Sequence, residues 1–238
     1  EFTAIAGPSG SGKSTILNAL KTKYGGTYFN FDNLEDKRLF VPEFSRLESA
    51  VALQAAPNPK YVFIDEIQNH PESTLAIKLL ADSGKHIILA TGSSELRAKT
   101  NSFDTLAGRY HELILFPLTL DEVACFKSGK ERFYDHPDTS QNLYLSPFLD
   151  EIMLYGSYPK VILTADKIDE LKLLTRDAIT KDIINIYHLK NSDLVYDLLR
   201  LLATQIGNLV NVTELCMSLK STKTTEDNYL SILARNRI

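Results

Sequence analysis

The chain has only two cysteines, Cys125 and Cys216, far apart and without metal-like spacing. This excludes a disulfide framework and a thiolate metal site, and it reads as two reduced thiols in a cytoplasmic protein. No apolar run approaches the ~18 residues that a membrane helix needs, so no membrane partner is expected. No signal-peptide pattern stands at the start. Net charge is −4 and the pI about 5.8, which removes any overall basic footprint for nucleic acid and leaves only a local patch open. Repeats and low-complexity tracts are absent, and residues 135–140 are the most linker-like stretch. The glycosylation-type triplet Asn211-Val-Thr213 is a chance match in such a setting.

What is present is an ordinary globular composition, 44% hydrophobic and 24% charged, over 238 residues. That length fits one large domain, or a medium one with a small companion. Five short, nearly all-apolar segments (2–6, 27–31, 60–64, 86–91 and 110–116) alternate with helical patterns. Strands of that kind belong to a parallel sheet covered on both faces. A helix over 14–23, one in two pieces over 34–56 and one over 71–81 lie between them, the last with Leu75, Leu79 and Leu80 inward. From Thr119 on the strands stop, and residues 119–129, 142–155, 166–189, 193–206, 213–219 and 224–234 read as helices. Both ends read as cut, because strand one begins at Phe2 and the last residues continue a helix without a stop. A longer gene product is expected.

Gly7-Pro8-Ser9-Gly10-Ser11-Gly12-Lys13-Ser14 fits the phosphate-loop pattern at every fixed position, with a strand before it and a helix after it. Glycines let the backbone curl so that successive N–H groups face phosphate oxygens. The helix start adds its positive dipole end. In this reading Lys13 reaches the β- and γ-phosphates, Ser14 ligates Mg²⁺, and Thr15 lies near the α-phosphate.

The third strand ends in Asp65-Glu66, at the sheet edge where open α/β folds bind ligands. Asp65 suits the Mg²⁺ shell, directly or through water, and Glu66 suits a water-activating role. The fourth strand ends in Thr91-Gly92-Ser93-Ser94, where a hydroxyl would face the γ-phosphate, the bland alternative being a Gly-Ser turn. Arg109, before strand five, and Arg97 are candidates for stabilising the transferring phosphoryl group, against the alternative of a solvated surface arginine. Asp32 reads as a turn-capping residue and His70, before Pro71, as structural.

Taken in order, the phosphate loop, Tyr28-Phe-Asn-Phe-Asp32, Phe63-Ile-Asp-Glu-Ile-Gln68, Thr91-Gly-Ser-Ser94, Leu106-Ala-Gly-Arg-Tyr110 and Phe116-Pro-Leu118 resemble the AAA-type P-loop ATPases of bacteria and archaea that end in a domain of unknown function. Tyr155-Gly-Ser-Tyr-Pro159 and Thr180-Lys-Asp-Ile183 resemble the lid of that family. The resemblance implies a five-stranded parallel α/β sheet of order 5-1-4-3-2, a helical lid and a winged-helix-like end. It implies ATP and Mg²⁺ as ligands, Thr91 or Ser93 at a sensor position, and Arg109 as an arginine finger acting in cis or from a second copy. Adenine rather than guanine also follows from it, since no guanine-reading Asn-Lys-x-Asp motif occurs. The lid reads Gly-Ser-Tyr-Pro-Lys where Gly-Gly-Phe-Pro-Glu is usual, and Arg176 is the nearest candidate for a second sensor. The expected layout is a P-loop core over 1–130, a lid over 140–190 and a winged-helix-like segment over 191–238, with the family's domain of unknown function missing.

The last helices form a helix-turn-helix pattern, with Thr213 capping the first, Ser221 or Thr222 the second, and a core of Leu215, Leu219, Tyr229, Leu230 and Leu233. Against DNA binding, residues 193–238 hold five basic residues (Arg200, Lys220, Lys223, Arg235, Arg237) and five acidic ones (Asp193, Asp197, Glu214, Glu226, Asp227). A packing or protein-contact role is favoured. The expected activity is ATP hydrolysis coupled to conformational change. The alternatives are a regulatory nucleotide switch with little hydrolysis, or a DNA-binding ATPase.

Overall fold

The computed structural model describes residues 1–40, 60–92, 110–129, 139–184 and 191–236, together with residues 47, 49, 51, 187 and 189. These divide into two compact units, residues 1–171 and 172–238.

The first unit is built on five parallel strands: β1 (Phe2–Ala6), β2 (Thr27–Asn30), β3 (Tyr61–Asp65), β4 (Ile87–Gly92) and β5 (Tyr110–Ile114). From edge to edge they run β2-β3-β4-β1-β5. Register places Ala6 beside Gly92 and Ile114, and Asn30 beside Asp65, so all five carboxyl ends share one edge. Between the strands lie α1 (Lys13–Tyr24), α2 (Leu34–Leu39) and α3 (Thr74–Asp82). After β5 come α4 (Leu120–Ser128), α5 (Thr139–Tyr155), α6 (Pro159–Leu163) and α7 (Lys167–Asp177), the last crossing the unit boundary.

Apolar side chains on one sheet face make the main core, and Phe63 is buried on the other. Phe2, Phe29, Phe31, Val62, Ile64, Ile77, Leu80 and Ile88 are fully buried, each worth about 1.5–3 kcal/mol for a side chain of this size. Phe40, just past α2, meets Phe29 and Phe31 edge-on at 5.0 and 4.9 Å. Of the three residues expected inward on α3, Leu80 is buried but Leu75 and Leu79 are exposed, and Ile77 is buried instead. A separate 3₁₀ turn at Pro71–Ser73 precedes α3, so the α-helix starts at Thr74 rather than Pro71.

Among its described residues the second unit holds helices and no strand. A π-helical stretch (Ala178–Ile184) replaces the second half of the single helix expected over 166–189 and buries Ile179 and Ile183. With α8 (Ser192–Thr204), α9 (Val212–Leu219) and α10 (Lys223–Arg235) it encloses Val195, Leu198, Leu215, Tyr229, Ile232 and Leu233. Leu219 and Leu230 pack against the same cluster. The cap of α9 is Asn211 rather than Thr213: its side chain accepts from the amides of Thr213 at 3.0 Å and Glu214 at 3.4 Å. Asparagine lies one residue before the helix, within reach of those orphan donors. Thr222 caps α10, accepting from Thr225 N at 3.3 Å.

Candidate functional site

Gly7 leaves β1 directly, and α1 begins at Lys13. Between them Gly10 (φ 83°) and Gly12 (φ 100°) take left-handed conformations, and Ser11 N closes a turn on Pro8 O at 3.2 Å. Gly7 is required for a different reason. A Cβ there would lie 2.2 Å from Leu115 O, because the backbone following β5 crosses against it. The Lys13 side chain is buried, and its ammonium donates to Gly7 O and Pro8 O at 2.9 Å each. The Ser11 hydroxyl is buried with no hydrogen-bond partner among the described residues.

The acidic pair is organised by two neighbouring strands. Asp65 is buried; Tyr28 of β2 donates to its Oδ2 at 2.8 Å and Thr91 of β4 donates to its Oδ1. Burial, reinforced by that bond, pushes the Tyr28 phenol well above its ordinary range. Glu66 adopts a left-handed backbone (φ 56°, ψ 46°), uncommon for a residue other than glycine. Its amide donates to Thr91 Oγ1 at 3.3 Å, and its carboxylate accepts from Gln68. Burial raises the Glu66 carboxyl above the usual carboxylate range, while Gln68 and the Lys13 charge pull the other way. Asp32 accepts from Asn69 at 2.7 Å, tying the turn after β2 to the one after β3. His70 is buried edge-on against Phe31 at 5.3 Å, and burial lowers its proton affinity.

Residues 9–15 of the loop and Glu66 line one cavity of about 570 Å³. Its remaining walls are Ile16, then Leu115, Phe116 and Leu118 from the segment between β5 and α4, Glu122 in the first turn of α4, and Pro159, Lys160 and Leu163 of α6. Gly7 and Pro8 hold Lys13 rather than line the space, and Asp65, bonded to Tyr28 and Thr91, does not line it either. Ser93, Ser94, Arg97 and Arg109 lie outside the described residues. The sequence reading gave no site role to Tyr28 or to the α6 wall, although both lie in motifs it singled out. The missing signals are spatial: Tyr28 meets Asp65 only through strand pairing, and α6 meets the loop only through the fold.

Residues 1–124 match the family described as AAA domain. The chain belongs to the AAA domain family. Residues 147–238 match a second family, described as Domain of unknown function (DUF8612). That match covers the stretch expected to be the lid and the winged-helix-like end. No curated protein matches the chain. The AAA domain supplies the loop, the acidic pair, Thr91, Phe116 and Leu118, whereas Pro159, Lys160 and Leu163 come from the stretch that matches the domain of unknown function. Among the described residues no helix is long and apolar enough to cross a membrane.

Proposed function

We propose that this AAA protein is an Mg²⁺-dependent ATPase that couples hydrolysis to conformational change. The observation that carries the reading is the shared cavity: Lys13 and Glu66, from separate elements, line the same space as the loop backbone. A buried Ser11 hydroxyl without a partner among the described residues fits a site completed by an anionic ligand. Residues 9–15 present backbone amides and a helix start to phosphate oxygens. Lys13, already held at the loop by two carbonyls, adds a point charge. The apolar wall of Phe116, Leu118 and Leu163 suits a purine ring.

Mg²⁺ fits the Ser14 hydroxyl and Asp65. Both Asp65 oxygens already accept a hydrogen bond, so their remaining lone pairs suit contact through a water. When bound, the ion offsets charge on the β- and γ-oxygens. The attacking water bonds to the γ-phosphorus as the bond to the β–γ bridging oxygen breaks and ADP leaves. Glu66 takes the water proton, and the raised proton affinity caused by burial suits that task. Ser93 is assigned to the γ-phosphate or the water, since the Thr91 hydroxyl is committed to Asp65 and the Glu66 amide. Arg109 completes the site in cis or from a neighbouring copy. An arginine in trans would be worth ~10³–10⁵ in rate, so turnover per molecule would rise with protein concentration.

Titration calorimetry with Mg-ATP tests the reading. Lys13→Ala should lose binding, and Glu66→Gln should bind but not turn over. Unchanged affinity in the first variant, or parental turnover in the second, removes the assignment. Single-turnover hydrolysis across protein concentrations separates this enzyme from a nucleotide switch. In the second unit Glu226 is fully buried and accepts from Ser221, so it belongs to the core rather than to a surface that a phosphate would touch. The case against DNA binding rests on the balanced charge and on exposed Asp227; we assign this unit to packing or protein contact, and a salt-sensitive DNA shift would overturn that.

A further inference from the structure

The wall that faces the phosphate loop, α6, is only five residues long, too short to hold itself in place. Its first residue nevertheless abuts the loop: Pro159 Cγ lies 3.8 Å from where a Cβ on Gly12 would stand. α6 is fastened at both ends by groups outside it. On the leading side Leu118 N donates to Ser157 O at 2.9 Å. On the trailing side the Lys167 ammonium donates to Val161 O at 2.9 Å and Thr164 O at 3.3 Å, carbonyls of the turn where a helix end leaves acceptors without intrahelical donors. A cation at that end also suits the helix dipole.

The third acceptor of Lys167 is Glu151 of α5, at 3.0 Å. An ammonium has three donors, so Lys167 is used in full. Glu151 in turn takes Lys127 of α4, at 2.5 Å to Oε1 and closer to Oε2. The three side chains are only 17–27% exposed, which separates this group from a solvated surface pair. Lys127 foremost, then Lys167, hold the Glu151 carboxyl below the usual carboxylate range. The ionic group thus ties the helix that follows the apolar wall, α4, to the helix that forms the opposite wall, α6.

We propose that Lys127, Glu151 and Lys167 form a positioning device for the nucleotide cavity, fixing α6 so that Pro159 and Lys160 stand at a set distance from the phosphate loop. This rests on the nucleotide reading above and deepens it. It gives the stretch matching the domain of unknown function a task, that of holding one wall of the AAA site. None of the three residues lines the cavity; each acts through α6.

The test compares the full chain with Lys167→Met, Lys167→Arg and Lys127→Met. A fluorescent ATP analogue with Mg²⁺ is titrated well below each variant's melting temperature, so that every sample is folded. Methionine keeps the stem and removes all three donors. Its Kd should rise about 5- to 30-fold, a usual size for coupling between separate sites, while arginine should stay within about twofold of the parent. Lys127→Met leaves the α6 carbonyls alone and should weaken binding by a smaller factor; it stands in if Lys167→Met does not fold. Parental Kd in both methionine variants overturns the proposal while leaving the nucleotide site standing. If the parent binds no better than Lys13→Ala, the nucleotide reading fails and the proposal falls with it.

Discussion

Thr91 joins the two acidic residues, and replacing it with valine isolates that joint. The side chain has no solvent exposure, and valine retains its branched outline, so little besides the hydroxyl is lost. The hydroxyl donates to Asp65 Oδ1 and accepts from Glu66 N at 3.3 Å. Losing a donor to an ionised acceptor costs about 1.5–3 kcal/mol, and the long amide contact adds about 0.5 kcal/mol at the weak end of neutral bonds. Tyr28 still donates to Oδ2 at 2.8 Å, so Asp65 is not left wholly unpaired and the cost stays below that of an orphaned buried charge. About 2–3 kcal/mol is expected, which for a unit of this size lowers Tm by roughly 4–12 °C. Thermal unfolding without nucleotide reads this directly, with Thr91→Ser as the control that restores the hydroxyl. ATP turnover should fall in the valine variant and recover in the serine variant, because the same contact sets the backbone at Glu66. A valine variant that melts within about 1 °C of the parent and hydrolyses ATP at the parental rate would show that Thr91 does not order the acidic pair.

Three further substitutions probe the same edge. Gly7→Ala drives a methyl to 2.2 Å from Leu115 O, with no positive φ to blame, so it should cost about 1–3 kcal/mol and weaken nucleotide binding; parental stability and affinity would mean the two backbone segments separate freely. Glu66→Gln tests the burial of a carboxylate. A raised folded-state pKa gives a contribution present below the unfolded pKa and lost as pH rises through the folded one, so the ionised group is a cost at neutral pH. The glutamine variant should therefore melt above the parent at pH 7, and the gain should vanish as pH falls into the carboxylate range; a gain independent of pH refutes this. Tyr28→Phe removes the second donor to Asp65 and should cost about 1.5 kcal/mol, the low end for a partly exposed bond to a charge. Its deficit should shrink in alkali, because a raised phenol pKa gives stability that is lost as pH rises through it; a deficit unchanged by alkali counts against the Tyr28–Asp65 bond.

The parallel half is legible in the sequence through β1, β3 and β4, which are mostly buried and apolar, whereas β5 carries His111 and Glu112 and exposes Leu113 and Ile114. The loop is legible because its glycines answer to local geometry, visible in the left-handed φ of Gly10 and Gly12. The acidic pair is legible as a strand end. The inward face of α3 is legible only in part, since Leu75 and Ile77 both fit an apolar stripe with Leu80 and packing against the sheet decides between them. Glu226 is another instance: as a letter it is an exposed charge at a helix start, but one turn of α10 places it on the same side as Tyr229, over the core.

Contacts between distant segments are the part that no pattern carries, and in this chain they are the ones that shape the cavity. Tyr28 and Thr91 converge on Asp65 only because β3 lies between β2 and β4, an arrangement set by sheet order rather than by any spacing along the chain. α6 reaches the loop only because Ser157 is bonded to Leu118 and Lys167 spans from α6 to Glu151. Lys160, on that wall, stands where the resembling family usually has a glutamate. Its Nζ is 3.9 Å from Glu170, a long and largely exposed contact, so the ammonium is free to move toward the cavity it already lines. Substituting an acid for that base reverses one charge beside a triphosphate. If the nucleotide occupies this space, Lys160→Glu must lower affinity more than Lys160→Gln does, and the gap must narrow as salt screens it.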